Sequence, residues 1–292
     1  MEDLIFEIKI DFDKDAKNPQ RIFKTLSCLI DEFDNIDKNL CKTISSKVEV
    51  DTMLEDVEQG SIKVFLRQVI KSIDDDGLGN CDIKKIFGKY LTDAKYLILN
   101  FLGDKDDSVE PNKLIQLQDD IFQLANKDEN RILPIFNKVN TADLIKNIDG
   151  INKSLLGLSS KDKVSFSIEK KTLSVEYNNG FSIEAFEDVL TAKNLSTNNE
   201  MILKVKKPDY LGDSKWEFRH GKTSIPAKIT DIDWLKKFQN REIDVRPKDA
   251  IKCMVNITTK YDADNEPLVV LYDIYKVIEI IDYPNFIQER IK

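Results

Sequence analysis

The sequence predicts an α+β protein. An N-terminal strand-helix-strand-strand unit is continued by a helical region, and a C-terminal β-rich, small-barrel-like module follows. Three observations predict it. Residues 4–12 alternate, with Leu4, Phe6, Ile8, Ile10 and Phe12 on one face and Glu7, Lys9 and Asp11 on the other. Apolar residues then recur at helical spacing through most of 67–158. Past residue 159 short alternating runs return, separated by turn residues. The expected organisation is an α+β unit with its helical region over 1–158, a hairpin and short helix connecting over 159–199, and the β-rich module over 200–292.

Taken in order, the alternation of residues 4–12 reads as a half-buried strand. Asn18-Pro19 opens a helix, with Asn18 as its cap and Pro19 at the first helical position, where a missing N–H costs nothing. Ile22, Phe23, Leu26, Leu29, Ile30 and Phe33 carry that helix to about Asp34. Val48 and Val50 resume alternation. An acidic, turn-prone approach from Glu55 to Gln59 meets Gly60-Ser61, and Ile62, Val64 and Leu66 form a short strand that passes into a helical pattern near Arg67. Helices follow over Ile83–Phe101, Leu114–Leu124 and Thr141–Leu155, separated by the acidic loops Asp74–Asn80 and Asp104–Pro111.

In the last part, Val164, Phe166 and Ile168 face Leu173, Val175 and Tyr177 across a Lys170-Lys171 turn, a hairpin. A short helix over Ile183–Leu190 precedes an Asn-rich linker, Asn194–Asn199. Strands are expected near Met201–Lys206, Ser214–Phe218 and Ser224–Thr230. A helical insert carrying Trp234, Leu235 and Phe238 leads to two long strands, Ile251–Lys260 and Leu268–Ile280. Five strands with tight turns and one short helix predict a small barrel or curled sheet.

Composition narrows the class. The chain has 292 residues, 33% of them charged, a net charge of −8 and no apolar run of the ~18 residues that span a bilayer. The N-terminus is acidic and enters a strand pattern directly, unlike a signal peptide. The expectation is a cytoplasmic protein without a membrane partner. Cys28, Cys41, Cys81 and Cys253 form no C-x-x-C pair and read as reduced thiols. Residues 200–292 carry 17 Lys+Arg against 16 Asp+Glu, and the rest 27 against 36. Polyanion binding therefore belongs to the last third, because the acidic remainder repels nucleic acid.

His220 is the only histidine, so triads with a histidine base and multi-histidine zinc sites are excluded. There is no G-x-x-x-x-G-K-[ST] and no G-x-G-x-x-G. An EF-hand reading of Asp74 onward places Leu78 and Lys85 where oxygen ligands belong, and the loops at Asp11 and Asp262 lack the glycine. Pro208-Asp209 with Asp213-Ser214-Lys215 has the letters of a metal nuclease site, but only a turn separates the two acids. No cofactor or metal is expected.

Between Lys204 and Lys252 there are 13 Lys+Arg against 8 Asp+Glu, with Tyr210, Trp216 and Trp234 interleaved. Small barrels bind single strands by stacking bases on aromatics beside a positive groove. The candidate binding residues are Lys206, Lys207, Lys215, Trp216, Arg219, Lys222 and Arg246. Trp216 alternates with Phe218 and Trp234 sits beside Leu235 on the short helix, which favours the barrel core for both over a stacking platform. A candidate protein contact is the acidic approach Glu55, Asp56 and Glu58.

Two stretches resemble a pattern found in uncharacterised bacterial proteins, some from mobile or phage-defence gene neighbourhoods. One is Leu54-Glu55-Asp56 through Gly60-Ser61-Ile62-Lys63 to Leu66-Arg67. The other runs from Lys207-Pro208 through Lys215-Trp216-Glu217-Phe218 and Ala227-Lys228-Ile229-x-Asp231 to Arg246-Pro247-Lys248-Asp249, with Lys248 where such barrels have glycine. The resemblance implies a bacterial, defence-related setting and brings no catalytic residue. The expected function is that of a non-enzymatic interaction protein with a protein partner: an adaptor, regulator or sensor subunit of an anti-phage system. Nucleic-acid binding by the C-terminal module is the first alternative. A metal-dependent hydrolase or nuclease whose acids converge only in space is the second.

Overall fold

A computed structural model describes residues 5–43, 49–58, 62–72, 81–103, 111–125, 137–168, 171–178, 181–210, 212, 214–246 and 248–282. The chain forms two compact units, Met1–Val189 and Leu190–Lys292. The sequence reading draws its boundaries at 158/159 and 199/200 instead. The hairpin after residue 159 is tied to the first unit because its leading strand pairs with the N-terminal strand.

The first unit contains β1 (Ile5–Asp11), α1 (Gln20–Lys42), β2 (Glu49–Glu58), β3 (Ile62–Ser72), α2 (Cys81–Gly103), α3 (Pro111–Ala125), α4 (Thr141–Ser154), β4 (Lys163–Ile168), β5 (Lys171–Val175) and α5 (Ile183–Leu190). The strands make one antiparallel sheet in the order β2-β3-β1-β4-β5. Register explains its buried face. Phe6 lies between Leu66 and Ile168, and Ile8 between Val64 and Phe166. All six are buried. Phe33 of α1 packs on this row with ring centroids 4.6 Å from Phe6 and 5.4 Å from Phe166. Each such side chain contributes ~1.5–3 kcal/mol by leaving water.

Elements of this unit differ from the sequence reading. The helix expected to end near Asp34 runs to Lys42, because Ile36, Asp37, Leu40 and Cys41 continue the buried stripe of Ile22, Thr25, Leu29 and Phe33. Its cap position is Pro19, and no side chain caps it. The helical pattern expected from Arg67 is instead the second half of β3, paired with β2 from Glu58↔Lys63 to Glu49↔Ser72. Cross-strand pairing decides such apolar runs, because a strand's preference lies in its neighbours more than in its own residues. The Gly60-Ser61 turn and the Asp74–Asn80 loop lie outside the described residues.

The second unit contains β6 (Lys193–Lys207), β7 (Trp216–His220), β8 (Thr223–Ile229), α6 (Ile232–Gln239), β9 (Ala250–Tyr261) and β10 (Pro267–Ile281). They close into a barrel in the order β10-β8-β7-β6-β9. Every neighbouring pair is antiparallel except β8–β10, which is parallel. Residues 194–199, read as an Asn-rich linker, are the first half of β6, paired residue by residue with β9 from Lys193↔Tyr261 onward. Backbone hydrogen bonds overcome the poor strand propensity of asparagine there.

The barrel interior holds Leu203, Val205, Trp216, Phe218, Ile225, Ala227, Ile229, Ile251, Cys253, Val255 and Ile274, joined by Leu235 and Phe238 of α6. Asp231 fastens that helix twice. Its carboxylate accepts from Trp234 N at 3.2 Å as the N-cap and from Val277 N of β10 at 3.0 Å. No helix among the described residues is long and apolar enough to cross a membrane.

Candidate nucleic-acid interface

Pleating separates the barrel's inside from its outside. On β8, Ile225, Ala227 and Ile229 point inward, which leaves Ser224, Pro226 and Lys228 outward. On β7, Trp216 and Phe218 point inward, leaving Glu217 and Arg219 outward. Lys204 of β6 lies opposite Arg219, and Arg219 lies opposite Ser224. A bulge at Lys206 shifts the register between Val205 and Lys207 and sets Lys206 against Glu217, with Nζ 2.9 Å from the carboxylate. That ammonium holds the Glu217 carboxyl below its usual range. The outer wall of β6–β7 thus carries Lys204, Lys206 and Arg219 as neighbours, with Lys207 at the end of β6.

The remaining candidate cations lie around this wall. Lys222 occupies the two-residue β7–β8 turn, where Gly221 takes φ 61° and its carbonyl accepts from Arg219 Nε at 3.1 Å. Lys215 immediately precedes β7 and is exposed. Arg246 is exposed and forked onto Asp244 at 2.7 and 2.8 Å, which raises its pKa. The turn after it is bonded to β6, since Lys248 N donates to Val205 O at 3.0 Å and Val205 N to Asp249 O at 2.7 Å. Lys248 has φ 89°, the left-handed backbone that glycine prefers.

Trp216 is not on this surface. It is 1% exposed and packs against Phe218, Trp234 and Phe238 with centroids 4.8–5.9 Å apart. Its place on alternate positions with Phe218 is a core signature, and the ring cannot stack on a ligand. Among the described residues of the β6–β7 loop, Tyr210 is an exposed aromatic, 55% exposed and stacked on Phe238. Sequence reasoning passed over Lys204 and Lys228 as site residues. The signal that finds them is strand parity: Lys204 falls between the inward Leu203 and Val205, and Lys228 between the inward Ala227 and Ile229.

The acids sort differently. Asp209 accepts from Gly212 N, Ser214 N and Ser214 Oγ at 3.2, 3.1 and 2.6 Å, so its carboxylate closes the β6–β7 loop. Asp213 lies outside the described residues. Asp262 accepts from the N–H groups of Asp264 and Glu266, a local turn. Among the described residues no group of three or more His, Cys, Asp and Glu is placed to hold a metal. Glu55 and Asp56, read as a turn-prone approach, lie within strand β2, where Glu55 is the bulged residue and accepts from Arg67 Nε at 3.0 Å. Glu58 closes the β2 pairing opposite Lys63.

Comparison of the chain with protein-family models, with curated proteins and with solved structures yields no match.

Proposed function

We propose that the C-terminal barrel binds single-stranded nucleic acid along its outer wall. The observation that carries this reading is the row Lys204–Arg219 with Lys206 beside it, on adjacent outward positions of a closed five-stranded barrel. Three antiparallel strands, a helix, then a hairpin whose last strand closes parallel to the third is the connectivity of OB-type barrels, which take oligonucleotides and oligosaccharides on their walls. That is an analogy of fold and fixes no ligand by itself. Charge adds to it. Residues 190–292 carry 18 Lys+Arg against 16 Asp+Glu, while 1–189 carry 26 against 36. A polyanion is thereby directed to the barrel.

The test is fluorescence anisotropy of a short labelled oligonucleotide with the full chain at several salt concentrations. Binding should weaken with salt, and Lys204→Glu with Arg219→Glu should abolish it and flatten the salt dependence. Absence of salt-dependent binding by the wild type ends the reading.

A second reading, an adaptor that contacts protein, has one observation in its favour. On β2, an edge strand, Met53 and Leu54 are 47% and 61% exposed beside Glu55 and Asp56. An edge strand offers unpaired backbone groups to another chain. In this reading Met53→Lys with Leu54→Lys loses a stoichiometric partner that co-purifies with the wild type, and oligonucleotide binding is unchanged.

A further inference from the structure

The outer wall of the barrel changes character beyond the basic row. On β8 the outward positions run Ser224, Pro226, Lys228, with Lys228 about 13 Å from Ser224 at ~3.3 Å per residue, and Thr230 follows just past the strand's end. Lys228 sits opposite Asp273 of β10, Asp273 opposite Asn256 of β9, and Asn256 opposite Asn198 of β6. Asn198, Asn256 and Asp273 line, with Thr230, Thr258 and Tyr275, a shallow open dish of ≈ 590 Å³. Its floor is ordered by hydrogen bonds from Thr258 Oγ1 to Asn256 Oδ1 and between Thr258 and Ser196, both 2.9 Å. Tyr275 is 41% exposed, in the register irregularity between Ile274 and Lys276.

Resting on the nucleic-acid reading above, we propose that this dish is a base-reading subsite: the bound strand crosses from the cations of β6–β7 along β8 and lays a guanine base against Tyr275, Asp273 and Asn256. Side-chain chemistry points to a base in the dish itself: its lining is a carboxylate, two amides, two hydroxyls and the ring of Tyr275, whose face accepts a stacked base, while Lys228 beside Asp273 is placed for the adjoining phosphate. Donor and acceptor types then select the base. The Asp273 carboxylate is acceptor-only and fits an edge that offers two adjacent N–H groups, as guanine does through N1–H and its 2-amino group. Thymine offers a single N–H flanked by two carbonyls, which the carboxylate repels. The Asn256 and Asn198 amides supply both donors and acceptors for the remaining edge and the sugar.

The experiment uses the full chain and two labelled strands, an oligothymidylate and the same strand carrying two central guanines, followed by anisotropy across salt. The guanine-bearing strand should bind several-fold tighter. Tyr275→Ala should weaken it about ten-fold with the salt slope unchanged, since the phosphate contacts remain. Asp273→Asn should remove the preference between the two strands, and thermal melts of both variants should overlay the wild type. If the wild type binds but neither substitution changes affinity or preference, the subsite is refuted while strand binding stands. If the wild type binds neither strand, the parent reading fails and the subsite with it. If Asp273→Asn unfolds the barrel, Asn256→Ala decides: an unchanged guanine preference and affinity refutes the subsite.

Discussion

Lys95 of α2 and Asp37 of α1 form an ion pair in which both side chains are fully buried, with Nζ 2.8 and 2.9 Å from the two carboxylate oxygens. Lys95 Nζ also lies 5.6 Å from the centre of the Phe6 ring, so the pair joins two helices to the N-terminal strand. A buried pair is strongly destabilising when one partner is removed, because the other is left charged and dry. Lys95→Met should lower the stability of the first unit by about 3–5 kcal/mol, and adding Asp37→Leu should restore most of it. Urea unfolding of the single and double variants measures this. A single variant within about 1 kcal/mol of the wild type refutes the coupling.

Asp162 should govern the acid limit of the same unit. Burial pushes its pKa up, but the Arg21 guanidinium at 2.9 and 3.0 Å, the N–H of Asp13 at 2.8 Å and both donors of Ser159 outweigh that and hold it well below the usual carboxylate range. A depressed folded pKa contributes stability that is present above the unfolded value of ~3.9 and lost as pH falls below it. Asp162→Asn should cost about 2–3 kcal/mol at neutral pH and flatten the loss of stability below about pH 4, measured by denaturant unfolding against pH. An acid limb unchanged in the variant contradicts this.

Cys41 and Cys253 should be inert in the folded protein. Burial raises both thiols to about 12, with the Asp37 carboxylate adding to the effect at Cys41. Raised folded values mean that stability is full below the unfolded thiol pKa of ~8.5 and declines as pH rises toward 12. Alkylation at about pH 8 followed by peptide mapping should find both thiols unmodified until urea is added. Rapid labelling of either in the native protein would contradict its burial.

Lys248→Gly should stabilise the barrel. A side chain at φ 89° costs on the order of 1 kcal/mol that glycine does not. Glycine's greater freedom in the unfolded chain offsets part of that, leaving about 0.5 kcal/mol and a rise of a few degrees in Tm. The turn survives because its bonds come from the Arg246 backbone N–H to Asp249 at 2.7 Å and from the Lys248 N–H, neither of which needs the lysine side chain. A fall in Tm refutes the strain argument.

Strand parity and helical spacing made much of this architecture legible. Phe6, Ile8 and Ile10 announce the buried face of β1, and Trp216 with Phe218 the interior of β7. The same parity puts Arg219 outside. Legibility failed where neighbours decide. Residues 67–72 carry a run that fits either period, and only the partner strand β2 makes it extended. Residues 194–199 have the composition of a linker, yet the β9 ladder holds them in a strand. For Trp216 the alternation with Phe218 already favours the core over a ligand platform, and the closed barrel puts it there.

The sequence by itself determined the α+β class, the two periods, the placement of positive charge in the last third and the lack of a histidine-based or glycine-rich motif. Those follow from local pattern and composition. Only the tertiary structure decided which residues meet: that Lys204 stands opposite Arg219, that Asn198, Asn256 and Asp273 form one row across three strands, and that Lys95 finds Asp37. Register and barrel closure are set by pairings between segments far apart in the chain, and no window of sequence carries the geometry of its distant partner.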